Sequence, residues 1–178
     1  MTALAIASTL LVAAGCGSGS SGTTTTHSHT ATTRPAKHHH HKPSGVAVGA
    51  TQPVHAGGSK LSVRVSKVMD PLRDSGAALP PGERAVGVLV SILNHGPAVY
   101  DSSSTTDIGL TSSKGEGTPV FAPSGVCQTP LRNWDNYIVA GEAKSGCVTF
   151  AVASAAKVTA VRFSPHGHAV GRVSWRVG

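Results

Sequence analysis

An all-β chain, a β-sandwich of about seven short strands preceded by a disordered tether, is the architecture the sequence predicts, and three observations carry it. From residue 60 onward apolar side chains recur at every second position, the period of a strand with one face in a core. Clusters of Gly, Pro, Asp and Ser separate these runs, as loops require. No stretch carries the 3.6-residue apolar period of a long helix, so two stacked sheets are the layers left to bury the strands.

The N-terminal segment reads differently. Residues 3–14 form an apolar run of about 12 residues, well short of the roughly 20 a membrane-spanning helix needs, which suits the core of a secretion signal. The run closes on Val12, Ala13, Ala14, Gly15 and Cys16, an ending that resembles a bacterial lipobox. That resemblance implies removal of residues 1–15, transfer of a diacylglyceryl group to the Cys16 thiol, and anchoring of the protein on the extracytoplasmic face of the cell membrane. Two acyl chains, at ~0.8 kcal/mol per buried methylene, hold far more firmly than a basic patch. Residues 16–58 follow as a tether of Ser, Thr, Gly, His, Pro and Ala, too poor in large apolar residues to offset the entropy of ordering. As a flexible coil the tether has an r.m.s. span of about 35 Å. Its threonines, next to Pro35, also suit O-glycosylation.

The folded domain is expected over residues 59–178. Leu61, Val63 and Val65 alternate with Ser62, Arg64 and Ser66 on the first strand. Residues 85–93 place Val86, Val88, Val90 and Ile92 on one face and Gly87, Leu89, Ser91 and Leu93 on the other, the pattern of a central strand partly covered on both sides. Asn94, His95, Gly96 and Pro97 stop it. Ile108 and Leu110 mark a short strand, and residues 119–121 an edge piece. Val148, Phe150 and Val152 mark the next strand, and Val161 and Phe163 the one after. In the last, Val173, Trp175 and Val177 face in while Arg172, Ser174 and Arg176 face water.

Several of these residues also form an ordered set: Gly57 and Gly58; Asp70 and Pro71; Pro81, Gly82, Glu83 and Arg84; Asn94 with Gly96; Gly141 and Glu142; then Gly146, Cys147, Val148, Thr149 and Phe150. The set resembles the domain of unknown function 4352, carried by lipoproteins of Gram-positive bacteria and actinobacteria, and the resemblance covers nearly all of residues 57–178. It implies an immunoglobulin-like antiparallel sandwich and brings no catalytic signature.

Charge and cysteine usage narrow the function. Of the formal net charge of +7, Arg34, Lys37 and Lys42 belong to the N-terminal segment, which has no acid; the 12 bases and 8 acids from residue 60 onward leave +4. The bases are scattered and aromatics are 4% of the chain, which excludes nucleic acid as the expected partner. With Cys16 assigned to lipid, Cys127 and Cys147 remain as a pair in an exported, oxidising setting, where a disulfide is the natural state. Closing a loop of about 20 residues stabilises a fold by roughly 3 kcal/mol in the chain-entropy model.

Candidate sites are few. The carboxylates are spread among turns, there is no Gly-x-Ser-x-Gly elbow around Ser102, Ser103 and Ser104, and no phosphate-cradling glycine motif occurs, so the expectation is a non-enzymatic protein without a cofactor. His166 and His168 suit the tip of a hairpin. Arg132, Trp134 and Tyr137 sit in the loop closed by the cysteine pair and make it the candidate binding loop, since Trp, Tyr and Arg are favoured where a surface captures another molecule. The partner expected for it is an envelope protein or glycan. A second reading takes His38, His39, His40 and His41 as metal ligands of an envelope protein that buffers zinc, copper or nickel, although a flexible tract has no surrounding shell to select a metal.

Overall fold

The computed structural model describes residues 45–127 and 137–178. Among these, ten strands form two sheets of five. The first sheet runs in the order β2 (Thr51–Ala56), β3 (Ser59–Met69), β4 (Glu83–Asn94), β8 (Ala143–Ala153), β7 (Thr118–Val120). The second runs β1 (Val46–Ala47), β10 (Val173–Arg176), β9 (Val158–Phe163), β5 (Ile108–Ser112), β6 (Gly115–Glu116). Apart from a single parallel pair, β1 on β10, the pairings are antiparallel. The sandwich is the one its alternation predicts, with Val63, Val86, Val88 and Phe150 of the first sheet buried against Leu110, Val161, Phe163 and Trp175 of the second.

Two expectations need correction. Composition carries the tether as far as residue 58, yet β1 and β2 already belong to the sheets, and Val54 and Ala56 are buried in the core. Thr51–Ala56 is too polar to announce itself, and Pro53 cannot donate to a ladder; the strand forms because β3 pairs with it and because Pro53 can sit in an edge strand. The count of about seven strands also rises, through β1, β2 and the short β6. β1 and β6 contribute two residues each, too few for a period to register, and β2 is the polar strand just described.

The first sheet is covered on both sides over half its length. Leu72, Ala85, Ala122, Cys127 and Cys147 form a second small core on its outer face, with Met69, Leu79 and Leu89 packed against it. Residues 71–79 and 121–127 fold over this half, and the Cys127–Cys147 disulfide, with Cα atoms 5.1 Å apart, ties the second of these loops to β8. Gly87 explains why a glycine interrupts the valine run of β4: a Cβ there would lie 2.9 Å from both Cys127 Sγ and Met69 Cε. The missing side chain leaves the space the disulfide occupies.

Arg84 fastens the same end. Its Nε and Nη2 donate to the two carboxylate oxygens of Asp70 at 2.6 and 2.8 Å, while Nη1 and Nη2 also donate to the carbonyls of Ala153 and Ala156 at 2.6 and 2.8 Å. The bidentate pair and two carbonyls use the planar donor fork of arginine as lysine could not. The bond to Asp70 holds the Arg84 guanidinium above its ordinary value, so it stays charged.

Candidate functional site

At the opposite end of the sandwich three segments meet: residues 95–107, 137–142 and 164–172. Their anchor is Asn94, the last residue of β4, whose side chain is fully buried. Its Nδ2 donates to the carbonyls of Ala98 and Ile138, both at 2.8 Å, and its Oδ1 accepts from the Gly96 N–H at 2.9 Å. The backbone of Asn94 adds bonds to Glu142 and Gly141. Gly96 must be a glycine here, since a Cβ would lie 2.5 Å from the backbone nitrogen of Lys60.

This anchor sets a short antiparallel bridge, Tyr100 to Ile138, with reciprocal backbone bonds of 3.1 and 3.0 Å. Tyr100 and Ile138 point into the core. Neighbours along a strand point the other way, so Val99 and Val139 stand side by side on the outside with Tyr137 next to them. Their exposures, 39% for Val99, 42% for Val139 and 61% for Tyr137, leave an apolar and aromatic surface open to solvent.

Beneath it lies a polar cluster that the spacing of the carboxylates does not reveal. Asp107, fully buried, ends the helical turn Ser104–Asp107. Its carboxylate accepts from the Tyr100 hydroxyl and the Ser102 hydroxyl, each at 2.6 Å, and its backbone carbonyl accepts from the Ser164 N–H. The His166 ring packs 5.1 Å from the Tyr100 ring, its backbone in the left-handed region at φ 52°. Burial drives the Asp107 carboxyl above its ordinary value, against the two hydroxyls and the His166 imidazole, which favour the charged form. Burial, and then the bond to Asp107, likewise hold the Tyr100 hydroxyl protonated. The cluster fastens residues 100–107 to the β9–β10 connection.

A pH dependence follows. Because the folded value of Asp107 lies above its unfolded one, the stability it contributes is fully present below about pH 3.8 and is lost as pH rises through the elevated value. Melting temperatures of the wild type and Asp107→Asn, compared from pH 3 to 7, should show the wild type losing ground to the variant as pH rises. A constant difference would show that burial does not govern this acid.

The remaining candidates separate cleanly. Tyr137 of the binding loop is on the exposed surface, whereas Arg132 and Trp134 lie outside the described residues, as do Cys16, His38, His39, His40 and His41. Pro165–Gly167 is a 3₁₀ turn joining β9 to β10, and His166 and His168 are exposed there, consistent with a hairpin tip. His95 shares a 2.9 Å hydrogen bond with Ser62. Among the described residues no three His, Cys, Asp or Glu side chains converge as a metal site, and no helix is long and apolar enough to cross a membrane. The pairing of Tyr100 with Asp107 is invisible in the sequence because it depends on a buried turn; Asn94 with Gly96 is a visible signal of the anchor.

Comparison with known proteins bears on the fold alone. No protein-family model matches the chain, and no curated protein does. Among solved structures, the secreted protein MPT63 of Mycobacterium tuberculosis is similar with a TM-score of 0.53 at 15% identity, over 76% of this chain and 98% of that one. A Bacillus subtilis protein described as a lipoprotein, ycdA, is similar with a TM-score of 0.49 at 14% identity, over 69% of this chain and 39% of that one.

Proposed function

We propose that this chain is a non-enzymatic binding module of the cell envelope, held on the extracytoplasmic face of the membrane by a lipid on Cys16 and capturing an envelope protein or glycan at the end of the sandwich that carries Tyr137. The observation that carries the reading is the exposed set Val99, Tyr137 and Val139, presented on a bridge fixed by Asn94. A rigid aromatic anchor loses little conformational entropy on binding, and an apolar centre beside a polar rim is the usual anatomy of such surfaces. Arg132 and Trp134 precede Tyr137 in sequence, within the segment closed by the disulfide. The export signal, the paired cysteines and a fold shared with a secreted protein support an extracytoplasmic setting.

Two experiments test it. Intact mass spectrometry of protein extracted from its own membranes should find a chain beginning at Cys16 with diacylglycerol mass attached; an unlipidated chain would remove the anchor. For the surface, a photo-crosslinking amino acid at position 137 should trap a discrete partner in living cells, while the same probe at exposed Ala155, on the β8–β9 turn, should not. Equal labelling at both positions would reject the site.

A further inference from the structure

Among the described residues, the half of the first sheet's outer face that residues 71–79 and 121–127 leave uncovered is open, and β3 crosses it. Lys60, Ser62 and Arg64 point outward there, two residues apart as a strand dictates. Continued alternation would put Ser66 on this face and turn Lys67 inward. Instead the register shifts between Val65 and Lys67: Arg64 stands opposite Ser91 and Lys67 opposite Leu89, and Ser91 and Leu89 share one face of β4. The extra residue, a β-bulge, brings Lys67 round to the side of Lys60 and Arg64, and bulges are a recurrent means of re-aiming a side chain.

The outcome is a row of three exposed cations along one strand, about 20 Å from end to end at 3.3–3.4 Å per residue. Hydroxyls flank it, with Thr51 and Ser91 on either side of Arg64 and Ser145 beyond. The outward positions of β2, β3, β4 and β8 on this half carry no carboxylate and no Trp, Tyr or Phe. Among the described residues, none of the three cations is in a salt bridge, whereas Arg84 and Arg162 each have a carboxylate partner.

We propose that this strip binds a linear polyanion, an acidic glycan or phosphate polymer laid along β3, with Lys60, Arg64 and Lys67 meeting successive charges. Charge complementarity and the row geometry carry the choice: a repeating anion matches spaced cations on a flat face, and the flanking hydroxyls supply neutral hydrogen bonds. Without a stacking ring the face is not built for nucleic-acid bases, and without an apolar wedge it is not built to enter a bilayer. The strip is separate from the surface around Tyr137 and stands or falls independently of it.

The test measures binding of the full chain to heparin and to inorganic polyphosphate across a salt series. Neutralising three contacts should give a log K against log salt slope of about −2 to −3. The triple variant Lys60→Gln, Arg64→Gln, Lys67→Gln should lose at least tenfold in affinity and most of that slope, with its melting curve unchanged because the side chains are exposed. A control triple, Lys114→Gln, Lys157→Gln, Arg176→Gln, removes the same charge elsewhere and should bind nearly as the wild type. Preference for heparin identifies carboxylate or sulfate as the anion, and preference for polyphosphate identifies phosphate; both support the proposal. Equal losses in the two triples would reduce the effect to net charge and overturn it, and so would binding to phosphatidylglycerol vesicles without binding to either soluble polymer.

Discussion

Replacing Trp175 by alanine is expected to lower the unfolding free energy by about 3–5 kcal/mol, the range for truncating a buried Trp or Phe. Trp175 is fully buried, pairs across β9 with Val161 and across β1 with Val46, and its Nε1 donates to the Ala50 carbonyl at 2.8 Å. One side chain therefore fills the core of the second sheet and holds the turn that leads from β1 into β2. Trp175→Phe separates the two roles: it keeps much of the apolar burial and loses the hydrogen bond, for which about 1 kcal/mol is the ordinary net worth. Urea unfolding of both variants measures this. If the alanine variant falls by no more than about 1 kcal/mol, the indole is not the centre of this core.

Asn94→Ala should cost about 3 kcal/mol or more, through a different mechanism. Truncation strands the N–H of Gly96 in a buried site, at about 1–3 kcal/mol, and removes one bond from each of the Ala98 and Ile138 carbonyls, which keep the Ser59 hydroxyl and the Tyr100 N–H, at about 1 kcal/mol apiece. Asn94→Asp is expected to do no better, because it restores the acceptor for Gly96 and sets a carboxylate against two carbonyls. Unlike the Trp175 change, this one should loosen a particular place. Hydrogen exchange at the Tyr100 and Ile138 amides, which close the bridge under Val99 and Val139, should accelerate beyond the global change in stability. Uniform acceleration would mean that Asn94 supports the whole sandwich and has no special part in presenting the Tyr137 surface.

The residues that carried the family resemblance prove to be joints of the sandwich. Asp70 and Arg84 clamp one end; Asn94, Gly96, Gly141 and Glu142 lock the other; Cys147 forms the disulfide with Cys127. A pattern of this kind reports backbone geometry, so it predicts a fold and is silent on partners. The candidate surface was half legible for a related reason. Tyr137 stands out as an aromatic in a polar loop, but Val99 and Val139 look like ordinary strand valines until the bridge shows which way they point.

Local chemistry by itself determined the all-β class, the seven principal strands and their inward faces, because a period of two is a property of neighbouring residues and needs no partner to be read. The expectation of export and the pairing of Cys127 with Cys147 followed from short motifs and composition. Tertiary structure alone decided what depends on separate segments meeting. It recruited Thr51–Ala56 as a strand beside β3, covered β8 on both faces, buried Asp107 under Tyr100 and Ser102, and turned Lys67 outward through one extra residue in β3. Each of those outcomes is set by a contact between one segment and another, not by a period within either, and the free energy that selects it exists only once both are in place.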